Sequence, residues 1–377
     1  MLSNWPPDGT ILHGRNWAIR TQYLHCGPVL SKQFDLPAGN PKSILVKCTG
    51  GLGDTINSIY FIHNLRNAFP TVSVLFVFNK ESCDTTFLQW LFNCYSIDLL
   101  CQDAVMLPSV DIAFNLNPFD DGDVAPSIHQ RTVALSPQRG AYAVKKCSHP
   151  VMKAYEYLSL LNVLGINTQM AYTPPDTSTL PSVQHTAICR RPYGVICPHA
   201  SVESWNMPDR LIKQLTNRLV SNVGAMQVVI LGTCPRDRAT RPSQNGRENL
   251  PNGSRCHDLR NRTSLCDAAL YLSNATWVVS VDSGLMHLAS FLGTPTLGVF
   301  APGSPERQGP QGIFGAALSL QIRPHPTCTA PPHKAHKHCD YCRQKVKPSV
   351  VLRALDVLTN TNPNRVEGRM SLGGSPV

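Results

Sequence analysis

At 377 residues the chain is long for one ordinary domain and fits two. With 42% hydrophobic and only 15% charged residues it is not composed like a disordered polymer, and no stretch reaches the roughly 18 consecutive apolar residues that span a bilayer. Lys and Arg number 34 against 24 Asp and Glu, a net charge of +10. Apart from short clusters such as Lys145-Lys146 and Arg190-Arg191 the basic residues are scattered. That pattern favours small phosphorylated ligands over a nucleic-acid track.

Residues 1–40 are rich in Pro, Asn and Gly without periodicity, and read as an N-terminal extension draped on the first domain. Ser43 to Cys48 reads as a buried strand and Thr49 to Gly53 as a glycine-rich turn. A helix is expected from Asp54, with Ile59, Ile62, Leu65 and Phe69 at helical spacing and Pro70 as its stop. Val72 to Phe78 is the next strand, Phe87 to Phe92 a short helix, and Asp111 to Leu116 a third strand. A loop-rich middle follows, with a helix over Val151 to Leu164 and a linker over 173–188.

Alternation then restarts, with strands at Tyr193 to Cys197, Gln227 to Leu231 (ending at Gly232), Trp277 to Val281 and Thr296 to Phe300. Helices are expected at Pro208 to Leu219, Leu265 to Leu272, Leu285 to Leu292 and, as a closing helix, Val346 to Leu358. The tail from Asn360 is polar and reads as disordered. Two α/β halves of this kind imply two Rossmann-like domains facing a central cleft, over 41–180 and 189–345. A closing helix at 346–360 and a tail at 361–377 complete the division. Ligands in such sheets bind beyond the carboxyl ends of the strands.

Two loops there can do chemistry. In Gly50-Gly51-Leu52-Gly53-Asp54 the glycines let a ligand approach the backbone, and amides at a helix start favour anions. Asp54 reads either as a helix N-cap or as a general base taking a proton from an acceptor hydroxyl. No Gly-Lys-Ser/Thr follows, so this is not a Walker A loop. In the second, the strand 278–281 ends at the turn Asp282-Ser283-Gly284, and a helix from Leu285 carries His287. Asp282, Ser283 and the amides of 284–286 suit a diphosphate cradle. His287 reads as a packing histidine or as a donor to phosphate.

Together these pieces resemble the ADP-heptose glycosyltransferases, the heptosyltransferase family of lipopolysaccharide inner-core assembly (glycosyltransferase family 9). The likeness runs from Ile44-Leu45-Val46-Lys47 into Gly51-Leu52-Gly53-Asp54-Thr55-Ile56, and through Leu265 to Ala269 into Val281-Asp282-Ser283-Gly284-Leu285-Met286-His287-Leu288-Ala289. Gly293 to Phe300 and Pro305 to Pro310 continue it. The resemblance implies a GT-B type α/β fold and an inverting transfer of a heptose or similar sugar from an ADP-activated donor. It makes Asp54 the base. It assigns the donor diphosphate to Asp282, Ser283, Gly284, Leu285 and His287, and the reading of the cleft loops adds Gly51, Gly53, His199, Ser201 and Gly232 as donor-binding residues. The implied acceptor is an acidic glycan or glycolipid such as lipopolysaccharide inner core, with peripheral contact to the inner membrane face and no nucleic-acid partner. Relatives carry a Lys two residues before the Trp of the loop after the first C-domain strand; here Glu203 stands there, before Trp205. A carboxylate beside a diphosphate is unfavourable, so another cation takes over, as Arg210 or Lys213 could, or donor choice or activity is altered.

Fourteen cysteines without a visible signal peptide do not read as a disulfide framework, and a cytoplasmic location is expected. Cys94, Cys101, Cys189 and Cys197 read as core filling. Cys328, Cys339 and Cys342, with three His between them, either stay reduced or hold a structural Zn or Fe. Catalysis of the implied kind requires no cofactor. Alternatives are transfer to a protein or another glycan, a non-catalytic nucleotide-sugar-binding homologue, and a nucleic-acid binder using the cysteine cluster.

Overall fold

A computed structural model describes residues 10–14, 40–78, 84–101, 109–117, 132–134, 142–143, 153–161, 164–181, 191–202, 205–222, 226–233, 255–300, 305–311, 316–322 and 346–360. The chain divides into two compact units, Ala18–Pro181 and a discontinuous one made of Met1–Trp17 with Ser182–Val377. β1 (Thr10–Gly14) belongs to the second.

The Ala18–Pro181 unit contains β2 (Ser43–Lys47), α1 (Leu52–Ala68), β3 (Ser73–Phe78), α2 (Thr85–Asn93), β4 (Asp98–Cys101), β5 (Ile112–Asn115), β6 (Thr132–Ala134), β7 (Tyr142–Ala143) and α3 (Lys153–Leu161). Its strands run parallel in the order β4-β3-β2-β5-β6-β7. That is the doubly wound dinucleotide-fold order, in which the first strand lies at the centre and the winding direction switches beside it. β2 is central, so Ile44, Leu45 and Val46 are all buried and the run is continuously apolar. Phe114 and Phe76, aligned through Val46, meet Phe61 of α1 and Phe92 of α2 on one face. At the amino edge, Asp111 accepts the backbone N–H groups of Lys42 and Ser43 and fixes the β2–β5 register. Those bonds hold its carboxyl below the usual range.

α1 is covered on most of its circumference. Its buried polar residues turn back on their own helix: Ser58 donates to the Thr55 carbonyl and Asn64 to that of Tyr60. The helix starts at Leu52 with Gly51 as its cap. Asp54 is therefore the third helical residue and not the N-cap of the sequence reading.

The second unit continues with β8 (Tyr193–Cys197), α4 (Asp209–Asn222), β9 (Gln227–Ile230), β10 (Cys256–Asp258), α5 (Leu265–Asn274), β11 (Trp277–Val281), α6 (Gly284–Phe291), β12 (Thr296–Phe300), α7 (Pro305–Gln308), β13 (Ala317–Ile322) and α8 (Pro348–Asn360). The order is β1-β13-β12-β11-β8-β9-β10, parallel except for β1. Counted from β8 this is the same winding as the first unit. Ile196, Val279 and Leu297 form one core with Leu211 and Leu215 of α4 and Val351 and Leu355 of α8. On the opposite face Tyr193 packs edge-on against Tyr271 of α5 and donates to its carbonyl.

Several expectations change. The 1–40 extension is not an appendage of the first domain in its described part: β1 pairs antiparallel with β13, Thr10 opposite Ile322 and Gly14 opposite Leu318, at the edge of the other unit's sheet. The linker expected over 173–188 is, as far as Pro181, bound to α2 and the turn after it, where the Trp90 indole donates to the Thr179 hydroxyl and the Tyr95 hydroxyl to the Thr173 carbonyl. Cys197 is buried as expected, but Cys94 is exposed at the C-terminus of α2. No described helix is long and apolar enough to cross a membrane. The tail 361–377 lies outside the described residues.

Gly194 in β8 is sterically required, since a Cβ there would stand 2.1 Å from the buried ring of Trp277 on the neighbouring strand. Gly194→Ala is expected to destabilise the protein by about 1–3 kcal/mol through overpacking. Denaturant unfolding with an unchanged midpoint would contradict this packing.

Candidate functional site

In both sheets the chain reverses its winding next to the first strand, between β2 and β5 and between β8 and β11. The loops at the carboxyl ends of these pairs are where such folds bind ligands. Every donor-site and base residue singled out in the sequence falls on these loops, on a neighbouring strand end, or on the helix that follows.

In the Ala18–Pro181 unit the loop after β2 is braced by the loop after β5. Asn117 accepts the N–H of Thr49 at 3.1 Å and donates to its hydroxyl at 2.6 Å, while its own N–H is held by Asn115. Gly50 has no room for a side chain, because a Cβ would lie 2.2 Å from Asp54 Oδ2. Gly51 has open space around it, and its N–H donates to Asp54 Oδ2 at 3.2 Å. Asp54 is about a quarter exposed. Its other oxygen is paired with Lys153 Nζ and faces the Tyr157 hydroxyl at 3.4 Å, both from α3. Burial, with Cys48 and Asp54 nearby, pushes the Tyr157 phenol well up, so it stays a neutral donor. Lys153 and Tyr157 were missed in the sequence. Their only signal is a spacing of four on one predicted helix, which puts both on a single face.

In the C-terminal unit β11 ends at Val281 and Ser283 caps α6, its hydroxyl accepting from Met286 N. The buried Ser280 hydroxyl donates to the Val281 carbonyl at 2.8 Å and lies 3.1 Å from that of Ser283, with the Cys197 carbonyl at the end of β8 further off at 3.3 Å. The first amides of α6, at Gly284 and Leu285, have no acceptor within their helix. Asp282 and His287 are buried side by side, His287 Nε2 being 3.9 Å from Asp282 Oδ1, an electrostatic approach rather than a hydrogen bond. Gly232, after β9, takes φ +121°, which favours glycine, and faces Leu285. Ser201 is exposed.

His199 follows β8. Burial, helped by the Arg260 charge, pushes it down to about 4, so it is neutral near pH 7, and its buried Nδ1 has no hydrogen-bond partner among the described residues. Arg260, after β10, is itself buried and grips Asp258 with two hydrogen bonds of 2.9 and 2.8 Å. Sequence reading missed Arg260 because the three-residue β10 leaves no periodic signal.

The structure thus gathers His199, Gly232, Asp282, Ser283, Gly284, Leu285 and His287 at one sheet edge, and places Gly51, Gly53 and Asp54 in the other unit. Arg210 and Lys213, weighed as substitutes for the missing lysine, are exposed on α4. Glu203 lies outside the described residues, as do Cys328, Cys339 and Cys342. Among the described residues no group of three or more His, Cys, Asp or Glu could hold a metal.

The family model for glycosyltransferase family 9 (heptosyltransferase) matches residues 129–337, which include the Asp282 turn but not Asp54. Lipooligosaccharide heptosyltransferase 2 of Haemophilus influenzae is 38% identical over 66 residues, 17% of this chain and 19% of the relative, so the matched stretch is about a fifth of that protein. The solved ADP-heptose lipopolysaccharide heptosyltransferase II of E. coli is 18% identical over 85% of this chain and 99% of its own, with a TM-score of 0.59. The iron-containing dodecameric glycosyltransferase TibC of enterotoxigenic E. coli is 13% identical over 87% and 78%, with a TM-score of 0.55. At these identities the two structures show the fold, which is of the GT-B type. With more than half of its length matched by the family model, the chain belongs to glycosyltransferase family 9, the heptosyltransferases.

Proposed function

We propose that the chain is an inverting glycosyltransferase that moves a heptose, or a closely related sugar, from an ADP-activated donor to a hydroxyl of an acidic glycan or glycolipid such as lipopolysaccharide inner core. The observation that carries this reading is the Asp282-Ser283-Gly284 turn, capped at the β8–β11 switch point with buried His287 beside it, in a chain of this family. The names of the relatives support heptose and ADP as the donor's parts.

In the proposed step, the acceptor oxygen attacks the anomeric carbon from the face opposite the diphosphate. A carbon–oxygen bond forms, the bond to the phosphate oxygen breaks, and the electron pair leaves with ADP. Asp54 takes the hydroxyl proton. The α6 amides, the Ser283 hydroxyl and His287 stabilise the charge that develops on the departing phosphate. These groups belong to the chain itself, and no step runs through a metal or other cofactor. The +10 charge suits an acidic acceptor at the cytoplasmic face of a membrane.

Glu203, at the place in the sequence where relatives carry a lysine, favours one second reading: a nucleotide-sugar-binding homologue without turnover. Purified protein incubated with ADP-heptose and a truncated core oligosaccharide separates the two, with mass spectrometry reporting a heptose-sized increment on the acceptor. Asp54→Asn is expected to lower kcat by about 10²–10⁴-fold while ADP binding stays unchanged. His287→Ala is expected to weaken ADP binding by about 10- to 100-fold, as loss of a hydrogen bond to a charged group does. Tight ADP binding with no transfer to any glycan would leave the binding-only reading standing. Full activity in Asp54→Asn would remove the base from the scheme.

A further inference from the structure

Asp54 is held in one orientation, and the way it is held distinguishes its two oxygens. Oδ2 accepts the Gly51 N–H at 3.2 Å. Oδ1 is engaged from the opposite side by Lys153 Nζ and by the Tyr157 hydroxyl at 3.4 Å. A carboxylate offers about four lone-pair directions. Described residues fill three of them, and the one they leave is on Oδ2.

The two donors on Oδ1 are not loose surface groups. They stand four apart on α3, which packs against α1, the helix that carries Asp54. Tyr157 is 1% exposed, which fixes its hydroxyl. Lys153 is about a fifth exposed, and as an ammonium it has three donors and no acceptor. A proton arriving on Asp54 therefore cannot be shared on the Oδ1 side. The Oδ2 side is kept narrow but clear by Gly50, whose missing Cβ would otherwise lie 2.2 Å from that oxygen.

We propose that Lys153 and Tyr157 are positioning residues for the transfer reaction: they hold Oδ1 so that Oδ2 alone receives the acceptor proton. The inference rests on the proposed glycosyltransferase reading. When the acceptor oxygen bonds to the anomeric carbon, its proton passes to Oδ2, and the electron pair of the broken bond leaves with the diphosphate. Lys153 and Tyr157 keep their own protons throughout.

A merely structural ion pair makes a different prediction. A pair exposed to this degree contributes little to folding, so replacing Lys153 would then change neither stability nor rate by much. The test uses the full chain with ADP-heptose and the truncated core oligosaccharide. Lys153→Met is expected to lower kcat by about 10²-fold through misplacement of the base. KM for the donor and the Kd for ADP should stay within twofold, and Tm should move by no more than about 4 °C. Lys153→Arg should restore at least tenfold of the lost rate, and Tyr157→Phe should lower kcat several-fold with Tm preserved. In an Asp54→Asn background, adding Lys153→Met should cost nothing further, because the group it positions is already gone.

Unchanged kcat in Lys153→Met would overturn the proposal while leaving the glycosyltransferase reading intact. So would a loss that multiplies independently with that of Asp54→Asn. A wild-type protein that binds ADP yet never transfers sugar would overturn both.

Discussion

A parallel sheet buried on both faces can present polar chemistry only at its ends. In β8, β11 and β12 every residue is buried, so the strands have no side available for a ligand. The winding order then decides which end and which strands. Because the chain reverses direction beside β2 and again beside β8, the helices that follow β2 and β11 start at a gap between neighbouring loops. Asp54 and Ser283 are the residues that this geometry sets at those gaps. Much of the local hydrogen bonding keeps the gaps in shape, from the Asn117–Thr49 brace in one unit to the Ser280–Ser283 contact in the other.

The two gaps are built oppositely. At the start of α1 a carboxylate fills the position where an anion would otherwise bind, taking the Gly51 amide for itself. At the start of α6 a neutral serine caps the helix, and the first amides have no acceptor within it. One helix start is therefore arranged to accept from its surroundings and the other to donate. Asp54 is not the N-cap, but the capping-box bond it accepts from Gly51 as the third helical residue and a catalytic role are compatible in space. The cap uses one lone pair of Oδ2 and leaves another.

What the sequence made legible follows from the same physics. Apolar runs such as 193–197, between Pro192 and Pro198, and 277–281, ahead of the Asp-Ser-Gly turn, identify themselves as buried strands, and the strand–helix alternation gives the winding class. β6 and β7, with three and two residues, are too short to carry a period. β1 is invisible for a different reason. Its partner is β13, some three hundred residues away, and nothing local in Thr10–Gly14 announces a strand that forms only by closing the edge of a distant sheet. The same pairing makes the C-terminal unit discontinuous, which no linker composition reveals. At the site, Asp282 to His287 was legible because strand, turn and helix are contiguous. Lys153 and Tyr157 were not, because their meaning lies in a contact across a hundred residues with Asp54.

The charges at the C-terminal sheet edge sharpen the question that Glu203 raises. Net charge of +10 implies a ready supply of cations, yet the buried guanidinium near His199 is already gripped by Asp258 through two hydrogen bonds. Its effect on His199 is to help burial keep that imidazole neutral, down to about 4. A neutral imidazole can donate one hydrogen bond but brings no charge. On the proposed reading, the described residues of this edge meet the diphosphate with the α6 amides, the Ser283 hydroxyl and His287, and the neutral His199 ring adds a donor without charge. Such groups act strongly only where water is excluded and their orientation is fixed in advance. The buried Ser280 hydroxyl contributes to that fixation: it donates to the Val281 carbonyl at 2.8 Å and lies 3.1 Å from the Ser283 hydroxyl, which holds the capping serine against the end of β11, so the described groups that would meet a diphosphate here are oriented in advance.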